Sequence, residues 1–209
     1  MPKKLFITAC VGALTLTAFA LASPVSAQWM VNGATLTGTE TKALASGAPV
    51  HELMKLKAAG VTIECKGKNF EFGSPQIEAG DKGSTTSLIF TECSADGKCA
   101  VSKTIATLPL MEVATLDGAL AANISFLPKT KTIFAVIQVT GSECALAGAQ
   151  PATGKAKFLA PTGQDERLLQ LIESKTTEAS GELKIGVSPV ELRASALLKL
   201  ATDLPWSFL

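Results

Sequence analysis

Histidine and tyrosine are almost missing from this chain, which has one histidine and no tyrosine in 209 residues. A metal site built from several histidines is therefore excluded. A Ser–His–Asp or Cys–His mechanism would have to use His51 as its base. His51 lies in a segment that we interpret as a loop entering a strand, and no G-x-S-x-G turn supplies a nucleophile.

A pair of carboxylates is the other route to hydrolysis. Asp117 is explained by a turn and Asp165 by a predicted helix start, while Asp81 and Asp96 lie in loops rich in Gly, Lys and Ser. No spacing singles out two of these acids as a pair. We therefore expect no enzymatic activity, and a secreted hydrolase that uses carboxylates or His51 is the alternative.

An excess of charge of either sign is also lacking. Nineteen basic residues against eighteen acidic ones give a formal net charge of +1. Nucleic-acid binding needs a strongly basic surface, so we expect no nucleic-acid partner. The chain offers no evident partner of another kind.

Cofactor motifs are missing as well. Residues 148–155 (GAQPATGK) have five residues between the two glycines, where a phosphate loop has four. Ala156 also stands where that loop needs Ser or Thr to bind magnesium. We interpret this segment as a hairpin loop, and we expect neither a cofactor nor a metal.

The first 27 residues have the three-part order of a secretory signal peptide. Lys3 and Lys4 precede an uncharged apolar run at 5–22, and a proline and small residues follow at 23–27. We expect cleavage after residue 27. The alternative is a membrane-spanning helix, since the apolar run has about the minimum spanning length. The signal predicts a bacterial-type protein that is secreted, to the periplasm or outside the cell, and is not membrane-embedded after cleavage.

Four cysteines remain beyond the signal: Cys65, Cys93, Cys99 and Cys144. An even number in an exported chain favours two disulfides, and the closely spaced pairs of a zinc site are missing. Cys93 and Cys99 flank a five-residue turn, so we predict a Cys93–Cys99 bridge and a long-range Cys65–Cys144 bridge. The other connectivities, and four reduced buried cysteines, are the alternatives.

Short runs of alternating apolar and polar residues dominate residues 28–209, and no linker or repeat divides them. Val61, Ile63 and Cys65 share one face of a predicted strand, and residues 132–140 form the most apolar strand. Asp117-Gly118 between apolar runs predicts a hairpin. The pattern predicts a single all-β domain, an antiparallel β-sandwich or a jelly-roll-like barrel, with roughly nine to eleven strands.

Two late segments carry mixed signals. A capping-box pattern and leucines at helical spacing predict one short helix near residues 164–174. Apolar residues alternate over 190–200 and predict a strand, although Ser188-Pro189 is a helix-start signature and keeps a helix as the alternative.

The two tryptophans, Trp29 and Trp206, lie near the two ends of the mature chain. We expect them to pack together where the terminal strands meet, because large aromatic side chains favour burial in the core. An exposed anchor is the alternative for one of them.

Three spaced motifs, at residues 63–65 (IEC), 90–93 (FTEC) and 181–206, resemble a loose family of exported bacterial β-rich proteins with no known activity. The resemblance implies a β fold and a strand at 190–200, and it implies no catalytic residue. The helix at 164–174 does not fit it. We therefore expect an exported cell-envelope or extracellular protein of structural or binding type.

Overall fold

The computed structural model describes residues 26–44, 54–66, 71–116, 121–130, 132–160 and 169–209. It is nearly all β, with 65% of residues in strands, and this confirms the predicted all-β class. The helical content of the described residues is one short 3₁₀ turn, Glu178–Ser180. Within these ranges no helix has the length and apolar character needed to span a membrane.

The described strands in chain order are β1 (Trp29–Val31), β2 (Ala34–Thr35), β3 (Thr39–Leu44), β4 (Met54–Ala58), β5 (Val61–Cys65), β6 (Glu71–Gly73), β7 (Gln76–Glu78), β8 (Lys82–Thr85), β9 (Ser87–Thr91), β10 (Cys93–Ala95), β11 (Ala100–Val101), β12 (Thr104–Ala106), β13 (Leu110–Leu116), β14 (Ala122–Pro128), β15 (Ile133–Thr140), β16 (Gly148–Gly154), β17 (Ala156–Ala160), β18 (Gln170–Ser174), β19 (Leu183–Ile185), β20 (Ser188–Pro189), β21 (Glu191–Arg193), β22 (Ser195–Leu200) and β23 (Trp206–Phe208). The predicted number of strands was too low. Many strands are short and follow one another closely, as β8 and β9 do on either side of Thr86.

Eight of these strands form a closed antiparallel barrel in the order β13-β14-β17-β18-β22-β3-β7-β8. Alternate residues of each strand point inward, and in a barrel of this size side chains fill the interior. Phe126 and Phe158 meet there edge to face, with ring centroids 5.3 Å apart. Fully buried Leu110, Ile124 and Ile172 belong to the same cluster.

Four smaller sheets surround the barrel. They have the strand orders β2-β1-β23, β10-β5-β4-β21, β11-β15-β16-β19-β20 and β12-β9-β6. The buried side chains of all the sheets form one hydrophobic cluster. The barrel and the sheets therefore share one core.

The tryptophans pack as predicted. β1 pairs with β23, and the indole rings of Trp29 and Trp206 lie 5.6 Å apart between centroids. Phe208 packs against Trp29, with ring centroids 4.3 Å apart and the ring planes tilted by 42°. Gln170, on a barrel strand, donates its side-chain amide to the carbonyl oxygen of Trp206 and joins this small sheet to the barrel.

The predicted disulfide pairing is wrong. The bridges are Cys65–Cys93 and Cys99–Cys144. β5 and β10 are antiparallel neighbours that place Cys65 directly opposite Cys93. Cys99 instead leads into β11, which pairs with the end of β15, and a turn after β15 brings Cys144 beside it. Cys93 and Cys99 are close in sequence, but Cys93 belongs to β10 and Cys99 leads into β11, and these strands lie in different sheets.

The predicted helix at 164–174 is wrong where the structure describes it. Residues 170–174 form β18, which lies between β17 and β22 in the barrel, and Gln170 and Ile172 are its buried residues. The pairing of β18 with strands on both of its sides outweighs the helical preference that the leucine spacing indicates. Residues 164–168 lie outside the described ranges. The strand predicted at 190–200 is confirmed as β21 and β22.

One further prediction needs correction. The hairpin loop expected at 148–155 is largely β16, an inner strand paired with β15 and β19. β13 and β14 do pair as the predicted hairpin, with Leu116 opposite Ala122. Its turn residues, Asp117 and Gly118, lie outside the described ranges.

Candidate functional site

Of the catalytic candidates weighed from the sequence, the structure describes Asp81 and Asp96, and these two carboxylates have different partners. His51, Asp117 and Asp165 lie outside the residues that the structure describes. Asp81 accepts a hydrogen bond from the Ser26 hydroxyl, and Asp96 accepts one from the backbone N–H of Thr62 at 2.9 Å. Asp96 therefore fixes a backbone group of β5, while the Asp81 contact is an exposed one between two side chains.

A metal site is also missing from this part of the chain. The described residues contain no group of three or more His, Cys, Asp or Glu side chains that could hold an ion. All four cysteines beyond the predicted signal are joined in disulfides and offer no thiolate ligand.

An open groove of about 600 Å³ lies between the barrel and the five-stranded sheet. We call it the barrel–sheet groove. Its barrel wall consists of Met111 from β13 and of Leu127 and Pro128 from β14. Met111 and Leu127 face each other across the two strands, on the outer surface of the barrel. Met111 is 42% exposed, so a large apolar side chain faces solvent in the groove.

The opposite wall comes from the five-stranded sheet. It includes Thr132, which precedes β15, and Thr153 and Gly154 at the end of β16. Thr153 lies directly opposite Lys184 of β19, so both side chains are on the same face of the sheet. The two threonines and the lysine add polar groups to a lining whose barrel wall is apolar.

Gly154 lets the two backbones of this wall come close together. Its φ is +103°, and a Cβ added to it would overlap the carbonyl oxygen of Glu182. Glycine is the residue that accepts both conditions without strain. The contact also places Lys155, the single residue between β16 and β17, at the rim of the groove.

The charges of the groove are unevenly matched. The Lys155 ammonium lies 3.1 Å from a carboxylate oxygen of Glu182, and the Lys155 backbone N–H donates to the Glu182 carbonyl oxygen at 2.9 Å. Lys184 is exposed and, among the described residues, has no carboxylate within 4.0 Å. The described lining therefore carries one net positive charge, on Lys184.

The groove has the properties of a binding site more than of a catalytic centre. Its volume lies within the range of small-molecule sites, which are mostly apolar and have a few polar groups that orient the ligand. Its described lining contains no histidine, cysteine or serine, and its one acid, Glu182, is paired with Lys155.

Sequence reasoning missed this site. Its residues come from five separate segments, and no local motif joins them. One signal was present in the glycine-lysine pair of residues 154–155, which we assigned to a hairpin loop. Glycine-lysine pairs that follow alternating apolar and polar residues are common. Such a pair indicates a groove only when the strands on either side of it are known.

A second hollow, of about 310 Å³, lies beside the Cys65–Cys93 bridge and includes Glu64 and Asp96 in its lining. Glu64 is paired with Lys55 at 2.9 Å, and Asp96 binds the Thr62 N–H. Both carboxylates are already engaged in structural contacts, so we assign no ligand to this hollow.

Comparison with known proteins gives no match: no family model fits the chain, and no curated protein and no solved structure is significantly similar to it.

Proposed function

We propose that this chain is an exported, non-catalytic binding protein of the cell envelope or extracellular space, and that the barrel–sheet groove holds its ligand. The observation that carries the proposal is the groove itself. It combines exposed Met111 and half-buried Leu127 with the ammonium group of Lys184 in a volume of about 600 Å³. Small-molecule sites have this combination of apolar walls and few polar groups.

Export is supported by two independent features. The N-terminal 27 residues have the pattern of a cleavable signal, and the four remaining cysteines are joined in two disulfides. Disulfides form and persist in oxidising compartments outside the cytoplasm. The Cys99–Cys144 bridge joins the start of β11 to the turn after β15, within the five-stranded sheet that forms one wall of the groove.

A dye-binding experiment tests the groove as a ligand site. Anilinonaphthalene sulfonate is an apolar anion that becomes fluorescent when it leaves water, and it serves as the probe. Thr132→Trp places a bulky ring in the groove and should abolish most of the dye fluorescence. Gln138→Trp adds the same ring to an exposed position of β15 outside the groove, and should leave binding unchanged. Equal binding by wild type and both variants would contradict the proposal.

A hydrolase screen tests the non-catalytic part. Purified mature protein should not hydrolyse ester, peptide or glycoside substrates above the buffer rate. Hydrolysis that is lost in His51→Ala would overturn the proposal in favour of the hydrolase alternative.

A further inference from the structure

We propose that the ligand of the barrel–sheet groove is a free single-chain carboxylate with an alkyl tail, as in a medium-chain fatty acid. This inference rests on the proposed function and adds the chemical class of the ligand. Its basis is the separation of the groove into an apolar wall on the barrel and one uncompensated ammonium group on the sheet.

The charge of the groove selects the head group. Glu182 already neutralises Lys155, whereas Lys184 has no carboxylate within ion-pair distance among the described residues. One uncompensated ammonium group matches one negative charge. A carboxylate can accept hydrogen bonds from Lys184 and also from the hydroxyl of Thr153, which lies directly opposite Lys184 on the same face.

The apolar wall selects the tail. Met111, Leu127 and Pro128 are flexible or aliphatic, and no aromatic side chain is among the described lining residues. A methionine adapts its shape to an irregular apolar partner. An alkyl chain laid along this wall removes the exposed surface of Met111 from water, which favours binding by about fourfold for each fully buried methylene.

The same residues argue against other ligand classes. Sugar rings and nucleobases are held by aromatic platforms, which the described lining lacks. A phosphate group carries up to two negative charges and is held best by bidentate arginines, whereas this lining has no arginine and one uncompensated lysine. A cationic amphiphile would meet the ammonium of Lys184 and be repelled.

Three probes with the same tail and different heads test the inference by calorimetric titration of the intact mature protein. They are decanoate, decanol and decyltrimethylammonium, each below its micelle concentration. Decanoate should bind most tightly and decyltrimethylammonium least. Lys184→Gln should weaken decanoate about fivefold and change decanol less than about twofold, since the lost interaction is a partly solvated charge pair. Raising the salt concentration should reduce the preference for decanoate.

Three further variants complete the design. Lys184→Arg keeps the charge and should retain most of the decanoate affinity. Lys57→Gln removes an equally exposed lysine from β4, in a different sheet, and should change nothing. Met111→Ser should weaken decanoate and decanol alike, because it acts on the tail.

The outcomes separate this inference from the proposed function. If Thr132→Trp weakens both decanoate and decanol but Lys184→Gln affects neither, the groove binds ligands and the carboxylate assignment is wrong. If no probe responds to Thr132→Trp, both proposals are wrong. If the protein sediments with phosphatidylglycerol vesicles but does not bind monomeric decanoate, the inference is overturned, since the groove would then contact a lipid surface.

Discussion

The indole rings of Trp29 and Trp206 lie 5.6 Å apart between centroids and join the first described strand to the last. Both side chains are fully buried, and the Trp29 indole N–H donates to the carbonyl oxygen of Lys82 on the barrel strand β8 at 2.9 Å. The two tryptophans therefore join the first and last described strands, and the Trp29 hydrogen bond attaches these strands to the barrel. The early and late parts of the sequence depend on each other for stability.

Trp206→Ala should be strongly destabilising. Truncation of a buried tryptophan leaves a cavity and costs about 3–5 kcal/mol, and the lost ring contacts with Trp29 and Phe208 contribute to it. The free energy of unfolding from urea titrations measures the effect. Leu209→Ala, at a 56% exposed neighbouring position, is the matched control and should stay within about 0.5 kcal/mol of wild type. Similar small losses for both variants would contradict the packing.

Non-reducing peptide mapping should recover Cys65 linked to Cys93 and Cys99 linked to Cys144. The bridges close loops with sequence separations of 28 and 45 residues. In the chain-entropy treatment each contributes about 4 kcal/mol, so removing either pair by double substitution to Ala should lower the free energy of unfolding by a similar amount. A peptide linking Cys93 to Cys99 would show that β10 does not lie beside β5.

Gly154→Ala should destabilise the protein by more than the cost of positive φ alone. The added Cβ has to occupy left-handed backbone space and also meets the carbonyl oxygen of Glu182, which belongs to the backbone and cannot move aside easily. Gly186→Ala is the matched control, because Gly186 has φ +60° but open space around its Cβ position. Thermal unfolding should show the larger loss for Gly154→Ala, and equal losses would mean that the close approach is not important.

The alternation of apolar residues was sufficient to predict the all-β class and the strand at Val61–Cys65, and the Asp117-Gly118 turn signal predicted the β13–β14 pairing. The alternation failed where the local structure depends on pairing with a strand from a distant segment. Residues 170–174 were predicted helical from leucine spacing, and Cys93 was paired with its nearest cysteine in sequence. In both places the neighbour that determines the structure comes from a distant segment: β22 for β18, and β5 for β10. The barrel–sheet groove could not be predicted for the same reason, since its walls meet only after the barrel and sheet have formed.

N-terminal sequencing of exported protein should begin at Gln28. Gln28 and Leu209 exchange two backbone hydrogen bonds, each 2.9 Å long, so cleavage at this point leaves the β1–β23 pairing in place. Cleavage would remove the contact of Ser26 with Asp81, the Ser26–Thr115 bridge and the buried Ala27, whose backbone N–H donates to the Ala114 carbonyl oxygen at 3.2 Å. Material that keeps residues 1–27 in a membrane fraction would contradict the signal-peptide interpretation.

Chemical-shift mapping with decanoate tests the proposed ligand site most directly. Titration of isotope-labelled mature protein should shift the methyl signals of Met111 and Leu127 and the backbone amides of Thr153 and Lys184, with saturation at a single affinity. Residues around the second hollow, such as Asp96, should not move. Shifts centred away from the barrel–sheet groove, or none up to the micelle concentration, would contradict the assignment of the groove as the binding site.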